Sequence, residues 1–228
     1  MLRLHDHRTG RTEPLPAGPG LRLQILDGAA YRPLVVADLL RRVAGRARRQ
    51  VRFVSVPVTV EGWAEYSVAS FEVLDEPLAD ADVYVSADAA DVDALCLTAP
   101  RETGEAPADA SVARLAMLEV PYREPVELSD ARLSAAGARL DAWRGKVAEW
   151  ATSPGRPMSR EYAAQAEAAL ADDLDSPGAL AVLDRLAADP DVPPGAKLET
   201  FIHLDMLLAL GLVSAIGRRN TCAVPPPG

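Results

Sequence analysis

The chain has 228 residues, 33 of them acidic and 24 basic, for a formal net charge of −9. That balance argues against general nucleic-acid binding, which needs a basic footprint to neutralise phosphates. A hydrophobic content of 49% with only 5% aromatic residues describes a globular chain whose core is mostly Ala, Val and Leu. No apolar run is long enough to cross a membrane, and Met1-Leu2-Arg3-Leu4-His5-Asp6-His7 lacks the apolar centre of a signal peptide. A cytoplasmic protein without membrane contact is therefore expected. Cys96 and Cys222 stand far apart with no partner pattern, which indicates neither a disulfide framework nor a zinc knuckle.

Leu2 to Leu15 alternates apolar and polar residues around Arg8-Thr9-Gly10-Arg11, the pattern of a β-hairpin closed by a glycine turn. After a Pro/Gly-rich connection, Leu21 to Leu26 reads as a strand ending at Asp27-Gly28. Leu34, Val35, Leu39, Leu40 and Val43 recur at helical spacing from Pro33 to Val43, with Gly45 as the expected stop. Val51 to Val58 is a second strand, so strand, helix and strand make a βαβ unit with a parallel pair. Arg41, Arg42, Arg46, Arg48, Arg49 and Arg52 form the one basic cluster. Lacking interleaved aromatics, it is read as the solvated face and end of a helix in preference to a phosphate-contacting patch. Residues 59–78 are ambiguous, with Trp63, Tyr66 and Phe71 placed to cover the sheet. Val83–Ser86 and Ala94–Thr98 are two further strands, and Cys96 inside the second is a buried, inert thiol. Asp88, Asp91 and Asp93 lack the spacing of a calcium loop and read as an acidic surface turn.

The polar stretch from Arg101 to Ala110 marks the expected boundary between a domain over residues 1–105 and a helical one over 106–218. Ser111–Leu118 opens a short helix, and Asp130–Trp150 is a long one lined by Leu133, Ala136, Leu140, Trp143 and Val147. Ser159 is positioned to cap the next helix, which runs through Leu170. Then comes Asp172-Asp173-Leu174-Asp175-Ser176-Pro177-Gly178, read from its residues as a helix-breaking turn on a solvated edge. Asp175 or Ser176 is the candidate cap of the following helix, and Pro177 suits its first turn. The last helix, Lys197 to about Ile216, is so apolar that it must be buried, either in the bundle or against a partner. Residues 219–228 read as a disordered tail. The expected architecture is thus α/β plus all-α, a reduced Rossmann-like parallel sheet followed by a C-terminal helical bundle.

The order of these pieces carries a resemblance. Leu2-Arg3-Leu4-His5-Asp6 with Thr9-Gly10-Arg11 resembles the N-terminal hairpin of cysteinyl-tRNA synthetases and of the related mycothiol-pathway cysteine ligase. Arg114–Leu118 followed by Pro121-Tyr122-Arg123-Glu124-Pro125-Val126-Glu127-Leu128-Ser129-Asp130 is similar to that family's helix and His-Tyr-Arg-type segment. Asp172-Asp173-Leu174-Asp175-Ser176-Pro177-Gly178-Ala179-Leu180 matches its Asp-Asp-x-Asp/Asn-Thr/Ser-Pro-x-Ala-Leu stretch. The resemblance implies ATP and zinc as cofactors, but the motifs that would hold them are absent. No His-Ile-Gly-His sequence follows the first strand, and the histidines are His5, His7 and His203 alone. No Lys-Met-Ser-Lys-Ser loop exists, since the lysines are Lys146 and Lys197. Arg156-Pro157-Met158-Ser159-Arg160 resembles that loop only superficially, falling after the long helix. At the first zinc-ligand position stands Asp27, with no later ligand set. No metal and no cofactor are therefore expected. Too few residues separate the first strand from the helical part for a full nucleotide-binding domain.

The function expected on these grounds is that of a synthetase-like protein without adenylate-forming activity, serving as a binding or partner subunit. Its partner, another protein or a second copy, would engage the apolar C-terminal helix. The alternative is a ligase-like small-molecule enzyme of altered chemistry, acting on cysteine or another amino acid. Its pocket candidates are His5, His7, Asp27 and Tyr31 at the carboxyl edge of the first strand, with Gly28 as the cofactor-contacting glycine. A tRNA-binding helical module is disfavoured by the acidic balance.

Overall fold

A computed structural model describes residues 1–28, 30–105 and 107–216; the expected tail over 219–228 lies outside the described residues, as does Cys222. Strands β1 (Arg3–Asp6) and β2 (Arg11–Pro14) form the predicted antiparallel hairpin, turned at Gly10 with φ 66°. The βαβ unit follows as β3 (Gly20–Ile25), α1 (Tyr31–Arg46) and β4 (Gln50–Ser55), with β3 and β4 parallel. Short strand β5 (Glu72–Val73), then β6 (Val83–Ser86) and β7 (Leu95–Thr98), complete a five-stranded parallel sheet in the order β5-β4-β3-β6-β7. This is the Rossmann-like layer expected of a βαβ sequence. Leu23 and Ile25 stand in register with Val83 and Val85, and these with Leu95 and Leu97. They form the apolar face that buries Leu34, Val35, Leu39 and Leu40 of α1.

Two helix ends differ from expectation. Helix α1 starts at Tyr31 and runs through Gly45 to Arg46, the chain turning at Arg48 with φ 61° instead. Its early start depends on a cap supplied from seventy residues away, described below, which no local pattern shows. The 59–78 region resolves into a 3₁₀ turn, Trp63–Tyr66, and β5. The outer edge of β7 is closed by the hairpin: the Cys96 amide donates to the Asp6 carboxylate at 3.2 Å and the His7 amide to the Cys96 carbonyl at 2.9 Å. Covering an edge in this way removes a template for strand-on-strand association.

The polar stretch after β7 contains an unpredicted strand, β8 (Thr103–Gly104), which pairs in parallel with β9 (Glu127–Leu128). Between them lies α2 (Ala110–Leu118), capped by Asp109, whose carboxylate accepts from the Ser111 amide at 2.8 Å. Helix α3 (Asp130–Trp150) has the predicted bounds and buries Ala136, Leu140, Trp143 and Val147. Then come α4 (Arg160–Ala171), α5 (Ser176–Ala188) and α6 (Pro194–Leu208). Ser159 holds the N-cap position of α4 without a side-chain cap; its own amide donates to Thr200 Oγ1 at 2.9 Å. Helix α6 stops eight residues short of Ile216. Ala209 turns left-handed, and the Asp205 carboxylate takes the Leu210 and Leu212 amides, each at 2.8 Å, ahead of a 3₁₀ turn over Leu212–Ala215. Phe201, Leu204, Leu207, Leu208, Leu210 and Leu212 are buried within the chain, whereas Met206 is exposed.

One buried charge network joins these parts. Asp38 of α1 and Arg114 of α2 are both fully buried and paired at 3.0 Å. Arg114 also donates to the Leu208 carbonyl at 2.7 Å and the Tyr66 carbonyl at 2.8 Å. Asp38 accepts from Arg41, Arg42 and the Ala69 amide, and Arg42 reaches the Met206 and Ser67 carbonyls. Burial pushes the Asp38 carboxyl up, but Arg114 and Arg42 outweigh it and hold the group below the ordinary carboxylate range. Burial draws the Arg114 guanidinium down to about 10, still charged at neutral pH.

Removing one partner of a buried pair strands the other. Arg114→Met is expected to cost about 3–5 kcal/mol in urea denaturation. Because the Asp38 carboxyl is depressed in the folded state, its contribution is present above the unfolded value of about 3.9 and fades as pH falls through the folded value. Asp38→Asn should accordingly flatten the stability-versus-pH profile below about pH 4, read by denaturation at a series of pH values.

Candidate functional site

Open parallel sheets bind ligands beyond the carboxyl ends of their strands, where successive connections leave in opposite directions. Here that point lies between β3, whose connection runs through α1 to β4, and β6, which lies on the other side of β3. The residues bordering it are Asp27 and Gly28 after β3, the start of α1, and Ala87-Asp88 after β6.

Two side chains of the chain itself reach across this edge. Arg101, three residues beyond β7, donates to Asp27 Oδ2 at 2.6 and 2.9 Å and lies 3.7 Å from the Asp88 carboxylate. Its neighbour Glu102 caps α1: one carboxylate oxygen accepts from the Tyr31 amide at 3.0 Å and the other from the Arg32 amide at 2.9 Å. The first turn of a helix presents unpaired amides and the positive end of the dipole, the arrangement that takes phosphates in nucleotide-binding folds. A carboxylate of this chain occupies it.

Around that cap the groups are committed to structure. The Tyr31 hydroxyl donates to the Glu61 carbonyl at 2.9 Å, and its ring stacks on Tyr66 with centroids 4.2 Å apart. Burial, with Tyr31 and Glu102 nearby, pushes the Tyr66 hydroxyl up to about 12. Arg32 is fully buried, donates to the Glu124 and Pro121 carbonyls, and is drawn down to about 10 by burial. Gly28 is needed for close approach: a Cβ there would lie 2.6 Å from both the Pro57 oxygen and the Val58 Cα. Its carbonyl accepts from the Thr59 amide at 2.9 Å.

The structure therefore brings Asp27, Gly28 and Tyr31 together at the sheet edge. His5 and His7 belong to the hairpin alongside β7, where their backbone amides do the work: His7 on Cys96, and His5 on Asp173 Oδ1 at 2.7 Å. Arg101 and Glu102 were not singled out from sequence, although a signal existed. They follow directly on a parallel strand, and every such position borders the ligand edge.

The Asp172–Gly178 stretch is the expected helix-breaking turn between α4 and α5, with Asp172 and Asp175 exposed, but it is only partly solvated: Leu174 and Ser176 are buried. Asp175 does cap α5, accepting from the Gly178 amide at 2.9 Å. Ser176, by contrast, is buried with its hydroxyl on the Leu118 carbonyl at 2.8 Å. Asp173 accepts from the His5 amide and from the Tyr122 hydroxyl at 2.7 Å, and pairs with Arg123 at 3.2 Å. These partners offset the unfavourable dipole at the end of α4. Burial, then Asp173, pushes the Tyr122 hydroxyl well above its usual range.

The arginine cluster is largely neutralised inside the chain: Arg41 and Arg42 on Asp38, Arg46 on Glu167, Arg52 on Glu72. Cys96 is fully buried, and burial pushes its thiol up. Among the described residues no three His, Cys, Asp or Glu side chains come together to hold a metal ion, so the described donors do not suit zinc. With Glu102 on the amides of α1, the helix end does not suit a nucleoside triphosphate either. Among the described residues no helix is long and apolar enough to cross a membrane.

The chain is thus a Rossmann-like α/β protein with a helical C-terminal part. No family model matches the chain. It is 44% identical over 93 residues to the L-cysteine:1D-myo-inositol 2-amino-2-deoxy-alpha-D-glucopyranoside ligase of Kytococcus sedentarius, covering 38% of this chain and 20% of that ligase. The same ligase of Nocardiopsis dassonvillei is 47% identical over 79 residues, 35% of this chain and 18% of the relative. That of Thermobispora bispora is 43% identical over 108 residues, 46% of this chain and 25% of the relative. The chain is thus related to the cysteinyl-tRNA synthetase-like cysteine ligases over part of its length, and its matches span a quarter or less of these three.

Glu102→Ala should uncap α1 and cost about 0.5–2 kcal/mol, as lost helix caps do, seen as a lowered Tm. Gly28→Ala should destabilise by about 1–3 kcal/mol through the clash with Pro57 and Val58, read in the same assay.

Proposed function

We propose that the chain is a non-catalytic relative of the cysteine ligases that acts as a binding or partner subunit. The observation that carries this reading is the Glu102 carboxylate on the Tyr31 and Arg32 amides. Adenylate formation builds negative charge on phosphate oxygens and depends on preorganised donors at that point. A fixed carboxylate there repels the charge it would have to stabilise. The missing histidine and lysine motifs point the same way, as does Arg101, which pairs with Asp27 at that edge. On this reading residues 1–105 and 106–218 are two inherited parts kept for shape, working in the cytoplasm. The partner expected along the C-terminal apolar segment would find Met206 on α6, and Val213 and Ile216 in and after the 3₁₀ turn that follows, as large exposed apolar residues.

Cysteine-dependent exchange of pyrophosphate into ATP tests the reading. No exchange above a no-enzyme control is expected at saturating cysteine and ATP. Turnover that requires cysteine would overturn the proposal.

A further inference from the structure

The sheet is asymmetric in its covering. All five strands are parallel, and α1 lies on one face. Parallel sheets are ordinarily covered by helices on both faces. The opposite face here is overlaid by irregular chain, with a small cluster of its own: Ala81, Tyr84 and Cys96 buried, and Leu26, Leu78 and Val92 partly exposed around them. A groove of about 430 Å³ opens on this side, floored by Leu26, Leu78, Tyr84 and Val92, with Asp91 and Asp93 among its walls.

Charge around the groove is mainly negative; Arg8, paired with Asp6, donates to the Val92 carbonyl at 3.2 Å beside Asp93 and is the one cation at its wall among the described residues. Residues 75–93 contain Asp75, Glu76, Asp80, Asp82, Asp88, Asp91 and Asp93 and no lysine or arginine. Arg22 engages Asp80 and Asp82, and Arg101 approaches Asp88. Asp75, Glu76, Asp91 and Asp93 are exposed and enter no ion pair among the described residues. An apolar floor inside an acidic rim selects a ligand of the reverse design.

We propose that this face is a docking surface for a basic amphipathic helix of a partner protein, which supplies the second covering layer of the sheet. Apolar residues at helical spacing enter the groove, and flanking lysines or arginines meet the Asp91 and Asp93 carboxylates. Among the described residues, the arginine-rich cluster of a second copy does not offer this element. Arg41, Arg42, Arg46 and Arg52 are paired internally, and the apolar stripe of α1 beneath them is buried. The inference rests on the partner-subunit reading above and names the partner's chemistry.

The test uses the full chain and a synthetic Leu/Lys amphipathic helical peptide as probe, with amide chemical shifts and fluorescence anisotropy as readouts. Shift changes are expected at Leu26 and across 77–93, with affinity falling as salt is raised. The double variant D91K/D93K, changed only at exposed positions, should bind about ten-fold more weakly. A Lys peptide with the same composition but scrambled apolar positions should not bind. Absence of binding, equal binding by the double variant or by the scrambled peptide, or shifts confined to another face would each overturn the proposal. So would a dimer of the free chain that D91K/D93K dissolves. Cysteine-dependent pyrophosphate exchange alongside peptide binding would remove the non-catalytic reading alone; no exchange and no binding would remove this docking surface alone.

Discussion

The pairing of Asp38 with Arg114 is the contact on which the rest of the molecule depends. Taking both charges out of water is costly, and a buried ion pair holds only if its remaining hydrogen-bonding capacity is filled. Here it is filled from four separate parts of the chain: α1 itself, the turn around Tyr66 and Ala69, α2, and the end of α6. The terminal carbonyls of α6 that would otherwise lack partners are taken by Arg114 and Arg42. The geometry that satisfies the charge therefore also sets the docking of the helical part on the sheet.

A second fastening lies at the other side of the helical part. Asp173 and Leu174 both take left-handed backbone conformations, φ 55° and 51°, unfavourable for a non-glycine residue by about 1–2 kcal/mol. Leu174 is buried, and the Asp173 amide donates to the Arg3 carbonyl at 2.9 Å while its carboxylate holds His5, Tyr122 and Arg123. Those long-range bonds hold the turn in its strained form. The Asp172–Gly178 stretch is thus the clasp between the N-terminal hairpin, the segment after α2 and the helices.

Between the two fastenings lies the edge where an α/β protein ordinarily does its chemistry. A pair of adjacent residues, Arg101 and Glu102, occupies both halves of that edge, one side chain on Asp27 and the other on the first amides of α1. The strap is held in place because β8, one residue further on, pairs with β9. Spanning the strand edge and joining the sheet to the helical part are accordingly served by the same few residues.

Periodicity and turn chemistry are local, and what depends on them was legible in the residues. The hairpin around Gly10, the βαβ unit, strands β6 and β7, the bounds of α3 and the Asp175 cap all follow from residues within a few positions of one another. So did the absence of the His and Lys motifs. What the residues in order do not show is which distant groups meet. Glu102 caps a helix that begins 71 positions earlier, Arg114 pairs across 76, and Asp173 reaches His5 across 168. The early start of α1 and the role of Asp173 were missed for this reason; the early stop of α6 at Leu208 was missed although the Asp205 carboxylate that takes the Leu210 and Leu212 amides is close in sequence. Amino-acid order determined the elements and their relationship to the ligases, because those depend on neighbours. Tertiary structure alone decided that Arg101 and Glu102 lie across the ligand edge and that, among the described residues, irregular chain overlies the second face of the sheet, because both depend on charges and apolar surface brought together from far along the chain.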